Sequence, residues 1–401
     1  ADRDPAERDL LRRRFLASAA ELAEPMKEIR GLENRLRGGG TTLVLRERPA
    51  DNPRKTYLRH RGEYTQPRGQ VGAALPAFLR GPAGAAKADR RALAEWLVSR
   101  DHPLVARVAV NRQWQAFFGR GIVPTLEDFG FQGTPPSHPE LLDWLAVTFV
   151  DDLGWSMKRL HRLIVSSATY RQASAATPEK IAADPGNVWL SRGPRVRLEA
   201  EEIRDGLLRA AGLLSEKMYG PGVRPPQPAG VTETAYGGAG WEPSPGEDRH
   251  RRSLYTFQKR TAPFAFVTTF DGPTGESCLA RRDVSNSATQ ALTLLNDPMF
   301  VEIAAALGAA ARSAAGDDAA RLDELARRVL SRRFDDDERA LLLDFLGTQR
   351  ERLAVGQLDA ARLAGAGGAT DGAAAADAAE RAAWMLLARA VMNLDETVVK
   401  R

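Results

Sequence analysis

Residues 251–300 read RRSLYTFQKRTAPFAFVTTFDGPTGESCLARRDVSNSATQALTLLNDPMF. Tyr255 and Phe257 alternate with Thr256 and Gln258, which predicts a strand over 253–259. Turn-forming residues follow at Asp271-Gly272-Pro273 and Gly275. From Ser287 onward the apolar spacing becomes helical, with helices predicted over 287–295 and 298–312 and Ser285 or Asn286 as the cap of the first. One short strand, a long polar turn and then continuous helix describe a mainly α, irregular multi-helix fold with a few short β-strands.

The rest of the chain fits that reading. Helices are predicted over 89–100 and 101–119, the second with Asp101 as cap and Pro103 in its first turn. Ser137 and Glu140 have capping-box spacing ahead of a helix ending near 152. Further helices are predicted from Ser156, over 199–217, 318–331 and 336–352, and from the end of a Gly/Ala linker at 364–375 to about 394. Phe15, Leu22, Ile29 and Leu36 recur every seven residues in a charged context, which reads as a helical arm interrupted at Pro25. Residues 41–46 read as a short strand. Residues 220–249 hold many Pro and Gly and read as a mobile surface loop. The expected organisation is therefore a helical arm over 1–40, a main domain over 41–363 and a C-terminal helix over 364–401 packing back on it.

Composition narrows the function classes. Of 401 residues, 57 are basic and 52 acidic, giving a net charge of +5. The two signs are interleaved, so a concentrated basic stripe for nucleic acid is not expected. No run reaches the roughly 18 apolar residues of a membrane span. Residues 1–14 lack the apolar stretch of a signal peptide, and a chain beginning at Ala reads as a mature product or a piece of a longer one. One cysteine, Cys278, rules out an internal disulfide and a multi-cysteine metal site, and no CxxCH attaches haem. Five scattered histidines give no metal motif, so no metal and no cofactor are expected in this chain.

Candidate chemistry is thin. Cys278, with Glu276 before it and Arg281-Arg282 after it, has cations that lower a thiol pKa, yet no histidine lies near, and a small buried side chain is the simpler expectation. His161 shares helical spacing with Leu160 and Ile164 and reads as a core histidine. Asp271 and Glu276 are a carboxylate pair for glycoside chemistry, with Trp155, Trp189 and Trp241 available to stack on sugar rings. Arg112, Arg281, Arg282 and Asn286 form a ligand-binding set suited to an anion, since a guanidinium pairs bidentately with carboxylate or phosphate. Arg282 is also expected to pair inside the protein, with Asp271 or Glu276 nearest in sequence.

Several separated motifs carry a family resemblance: residues 251–300, RGEYTQPRGQVGAALPAFL at 61–79, DHPLVARVAVNRQWQAFFGRGIVPTLEDFGFQGTPPSHPELLDWLA at 101–146, HRLIVSSATYRQAS at 161–174 and Asn393-Leu394-Asp395-Glu396. Together they resemble the planctomycete secreted domain family, domain of unknown function 1553, the C-terminal part of exported proteins that often carry a planctomycete-type cytochrome c domain. The resemblance implies a periplasmic or extracellular setting and a c-type cytochrome as partner, with haem c on that associated domain. It implies an accessory module that binds polysaccharide or a cell-surface partner. The alternative is an enzyme, a hydrolase or oxidoreductase component, acting on complex carbohydrate with a site around 271–290.

Overall fold

The computed structural model describes residues 4–37, 43–44, 46, 48–49, 51–75, 89–231, 240–365 and 373–400. The chain divides into two compact units, one within Ala1–Leu75 and one within Arg90–Arg401. In the first, α1 (Pro5–Ser18) is followed by α2 (Ala23–Arg37). The break falls at the short 3₁₀ turn Ala20–Leu22, and Pro25 lies in the first turn of α2, where its missing N–H has no intrahelical partner to lose. The seven-residue seam is open to solvent at Phe15 and Ile29; the Leu36 side chain lies outside the described residues. β1 (Thr56–Arg59) pairs antiparallel with β2 (Pro67–Val71). Of the expected strand at 41–46, Leu43, Val44 and Arg46 carry no regular structure and the rest lies outside the described residues.

The second unit is mainly helical, as expected. It runs α3 (Arg90–Leu97), α4 (Val105–Phe118), α5 (Pro139–Asp151), α6 (Met157–Ser166), α7 (Pro178–Ala183), β3 (Val196–Arg197), α8 (Ala200–Ala210), α9 (Ala265–Thr269), α10 (Ala288–Asn296), α11 (Pro298–Arg312), α12 (Asp318–Leu330), α13 (Asp336–Ala354), α14 (Ala360–Leu363), α15 (Ala373–Met392), α16 (Asp395–Val398) and β4 (Val399–Lys400). Two hydrophobic clusters organise it. The smaller joins α4, α5 and α6 through Val110, Trp114, Phe118, Leu145, Phe149 and Leu160. The larger gathers α8 to α15 around Phe266, Phe300, Leu307, Leu325 and the fully buried Trp384. There α11 crosses α15 so closely that a Cβ on Gly308 would lie 2.8 Å from the Trp384 carbonyl carbon.

Cap chemistry explains several boundaries. Ser156 accepts from Arg159 N–H at the start of α6, and Asp335 with Glu338 forms the reciprocal box that opens α13. Elsewhere the structure corrects the expectation. α4 starts at Val105 after an uncapped Leu104, not at Asp101, and His102 Nδ1 accepts from the Leu104 and Val105 N–H groups instead. His138, not Ser137, precedes α5, because the Ser137 backbone is tied to Ile122 O at 2.9 Å. Ser287, one or two residues beyond the expected caps, opens α10 in a box with Gln290. α8 ends at Ala210, ahead of Gly212 in a left-handed conformation.

Three larger expectations fail. Residues 253–259 form a 3₁₀ turn, Ser253–Tyr255, and a single bridge from Thr256 to Val223, since no second strand lies alongside. The strand at 255–259 and the helix at 287–295 are expected from the sequence to pack against the helix that holds Asn111 and Trp114, but α10 packs on α9, α11 and α15 while α4 packs on α5 and α6, so the two helices do not share a core; Leu292 is 57% exposed. The expected mobile loop at 220–249 is docked where it is described: Val223 is buried, and the Trp241 ring stacks on Phe264 at 5.5 Å while its Nε1–H donates to Pro225 O. Residues 232–239 lie outside the described set.

Candidate functional site

The end of α4 sets the geometry. Its buried side carries Val110, Asn111, Trp114 and Phe118, which leaves Arg112 on the outer side. Gly119 ends the helix at φ +74°, a left-handed conformation that glycine adopts without steric cost. The chain then turns back onto the helix. Asn111, fully buried, donates from Nδ2 to Val123 O and accepts Val123 N–H at Oδ1, both at 2.9 Å. A Cβ on Gly121 would lie 2.5 Å from Val123 O and 2.8 Å from Asn111 Nδ2, so this clamp requires glycine there. Arg120 is thereby held between two constrained glycines and stands out from the turn.

A second wall comes from β3, paired with β4 through Val196↔Lys400 and Arg197↔Val399. Arg197 donates to Gln290 Oε1 at 2.7 Å. Gln290 is buried, and its Nε2 donates to Thr269 O at 3.0 Å and to the Ser285 and Asp271 side chains. Asp271, at φ +61°, accepts the Ser285 N–H and hydroxyl at 2.9 and 2.8 Å. These contacts close residues 271–285 into a loop whose surface faces the end of α4.

Arg282 fixes that loop to α8. It makes two hydrogen bonds to Glu201, at 2.5 and 3.0 Å, and approaches Glu199 at 3.3 Å. Burial pushes the Glu201 carboxyl up, but the Arg282 hydrogen bonds, a backbone N–H and the guanidinium charge outweigh it, and Glu201 is held below the ordinary range. Burial also pushes Glu199 up, and there the Arg282 charge does not prevail against burial plus Glu201 and Glu202. The expectation that Arg282 pairs with Asp271 or Glu276 is corrected: the partner comes from the first turn of α8, and Asp271 is already taken by Ser285.

Between these walls lies an open cleft of about 880 Å³ lined by Arg112, Arg197, Arg281 and Arg282 along with Glu199, Glu202, Asp271 and Asp283. It thus brings together Arg112, Arg281 and Arg282, three of the four residues in the expected ligand-binding set; Asn286 is exposed and outside the lining. The acids of α8 offset Arg282, so little excess charge remains in this part. The balance changes over Gly119. A neighbouring cavity of about 380 Å³ is lined by Gln115, Gly119, Arg120, Gly121, Pro124 and Arg281, two guanidinium groups and no acid. Among the described residues no hydrogen bond or ion pair holds Arg112, Arg120 or Arg281.

The candidate catalytic residues do not assemble. Asp271 and Arg282 line the cleft, Glu276 is exposed outside it, and Cys278 is exposed, not the buried side chain expected. His161 lies in another part of the unit, hydrogen-bonded to Gln113 Oε1 at 2.7 Å and edge-on to Phe117. Among the described residues no three His, Cys, Asp or Glu side chains gather where a metal ion could be held. No single described helix is long and apolar enough to cross a membrane; α10 and α11 together pass on composition but bend by 59°, and α11 is a core helix. Sequence reasoning missed Arg120, Arg197, Glu201 and Gln290. The Gly-Arg-Gly run at 119–121 was the available signal for Arg120.

The family described as PSD1, protein of unknown function (DUF1553), matches residues 89–346. That span holds α4, β3, the 271–285 loop and every cleft residue named above, while the motifs at 61–79 and 393–396 fall outside it. No curated protein and no solved structure matches the chain.

Proposed function

The chain belongs to the PSD1 family of proteins of unknown function (DUF1553), and we propose that it is a non-catalytic binding module whose cleft over Gly119 takes an anionic ligand, with polysaccharides bearing carboxylate or sulfate groups as the ligand class. One observation carries the reading. Arg120 and Arg281, both exposed, open on one cavity with no acidic residue in its lining, whereas Arg282, Arg332 and Arg350 are paired with carboxylates. Two exposed guanidinium groups facing one cavity without a carboxylate give it a positive potential that attracts an anion. Guanidinium groups suit carboxylate and sulfate because their fork of donors matches two oxygens at once.

Catalysis is not part of this reading: of the catalytic candidates only Asp271 and Arg282 line the cleft, and each is already engaged, Asp271 by Ser285 and Arg282 by Glu201. Service beside a c-type cytochrome, on an exported protein, is the setting that the family resemblance suggests, and it supplies the role of presenting a bound polymer to a neighbouring domain. Retention of the purified chain in gels containing polygalacturonate or dextran sulfate, against gels containing neutral dextran, tests the function. Retardation by the acidic polymers alone supports it; equal mobility in all gels contradicts it.

A further inference from the structure

Behind Gly119 lies a second cavity of about 380 Å³, and Gly119, Arg120 and Gly121 line both this rear cavity and the front one that holds Arg281. Arg120, Arg192, Arg195 and His138 line the rear cavity, and no acidic residue does. Its walls come from separate parts of the chain: the turn after α4, the segment 185–195, and Ser137 with His138 at the start of α5.

The cations are held in different ways. A Cβ on Gly186 would lie 3.6 Å from Arg120 Nη1, so the Arg120 guanidinium stands over a residue of the rear lining. Arg192 donates to the carbonyls of Asp184 and Pro185 at 2.8 and 2.9 Å. Neutral carbonyls orient this guanidinium without cancelling its charge, and they leave other N–H groups of the fork unused. The buried Asp184 carboxylate is spent on the N–H groups of Val188 at 2.8 Å and Trp189 at 2.9 Å. Arg195 pairs with Asp395 at 2.7 Å and adds little net charge. The His138 ring is set by Ser137 Oγ, 3.0 Å from Nδ1.

The frame is fixed before any ligand arrives. Asn187 Nδ2 donates to Arg192 O at 3.0 Å, and Gly193 N–H donates to Ala173 O at 2.8 Å. A Cβ on Gly193 would lie 2.3 Å from Gln172 O, so only glycine lets the segment lie this close to 172–174. A preformed site spends little binding energy on ordering its own groups. A carboxylate presents two oxygens in one plane and is satisfied by a single guanidinium fork. Cationic and hydroxyl groups on several walls suit an anion whose oxygens point in three dimensions, a sulfate or phosphate group. The volume is that of a small-molecule site, with room for such a group and the ring that bears it.

We infer that the rear cavity is a second anion seat, built by Arg120, Arg192 and His138 for a tetrahedral oxyanion, so that the ligand is a polyanion carrying sulfate or phosphate esters. This rests on the anion-binding reading of the cleft and adds the second seat and the class of group it takes. Calorimetric titration of inorganic sulfate and inorganic phosphate into the whole chain tests it, at low ionic strength balanced with chloride. The parent should bind one ion saturably, and Arg192→Gln should weaken that binding by at least about tenfold. Because Arg192 also ties down its own loop, Gly186→Glu is the second probe. Gly186 is exposed and a Cβ there meets only ordinary contacts, so the fold stays intact, which a matched thermal melt verifies. The carboxylate it places beside Arg120 should weaken ion binding by a similar factor. Arg281→Glu changes the front cavity alone of the two, and it should lose polygalacturonate while keeping the inorganic ion. Dextran sulfate should displace the ion, which identifies a polymer ester as its source.

No saturable ion binding by the parent would overturn the rear seat and leave the front one standing. So would ion binding that survives both Arg192→Gln and Gly186→Glu, or that is lost in Arg281→Glu. An ion that dextran sulfate fails to displace would overturn the polymer as its source. Ion binding without any polygalacturonate binding by the parent would sink the reading of the front cavity and spare the rear one.

Discussion

Arg282 and Glu201, 81 residues apart in the chain, meet through two hydrogen bonds of 2.5 and 3.0 Å. The pair joins the exposed 271–285 loop to the first turn of α8, and it decides where Arg281 is presented to the cleft. Glu201 at a helix N-terminus is also where a carboxylate is favoured by the helix dipole.

Arg282→Ala should therefore loosen the loop at a moderate cost. Both side chains keep partial solvent contact, so the loss is expected at about 1–2 kcal/mol, below that of a fully buried pair. Chemical denaturation of Arg282→Ala, Glu201→Gln and the double variant measures it. A coupling energy of about 1 kcal/mol is expected, and strict additivity would show that the two residues do not act together.

Arg204 is the stronger structural clamp. Its side chain is 1% exposed and donates to the Arg251 and Arg249 carbonyls at 2.8 and 3.0 Å, and Asp205 beside it accepts from the Ser253 N–H. Burial pulls its pKa down to about 10 against the Asp205 charge, so it stays protonated at neutral pH. Replacement by Met strands those carbonyls and Asp205, and a loss of about 3–5 kcal/mol is expected. Proteolysis should then begin within 246–253; unchanged stability with an intact 246–253 segment would argue against the clamp.

Asp297 gives a pH signature. Burial pushes its carboxyl up to about 6, although the Met299 N–H it caps pulls the other way. A folded pKa above the unfolded value means that the folded state holds the proton more tightly, so this group's contribution is full below about pH 4 and is lost as pH rises through about 6. Asp297→Asn keeps the cap and removes the titration. The variant should gain on the parent by at most about 3 kcal/mol between pH 4 and 7, read from denaturation midpoints across that range. Parallel pH profiles would contradict the assignment.

The α-rich character and the late helices were legible in the sequence because α12 has strong apolar periodicity and α11, α12 and α13 open on side-chain caps at Asp297, Asp317 and Asp335. The alternation at Tyr255 and Phe257 misled for a physical reason. Tyr255 lies under the Arg251 guanidinium at 3.8 Å and Phe257 under Arg224 at 4.7 Å, so both aromatic residues serve cation–π contacts, not a sheet face. Pairing across long stretches of chain was not legible at all. Arg282 had two acids close in sequence, yet Asp271 is saturated by Ser285 and Glu276 stays in solvent, leaving the distant Glu201 as partner. Arg112 and Arg281 were readable as arginines suited to anions, but their meeting with Arg120 depends on Gly119 and Gly121, whose roles appear only once Asn111 has folded the turn back.

The central claim is that the unpaired arginines around Gly119 bind an anion. Isothermal titration of polygalacturonate into the parent and into Arg120→Glu/Arg281→Glu, at low and moderate salt and with matched thermal melts, tests it most directly. Saturable binding by the parent that weakens with salt is expected, together with loss of at least about tenfold in the variant and an unchanged melting temperature, since neither side chain is tied to the fold. Equal binding by the variant, or no binding by the parent at low salt, would contradict the account.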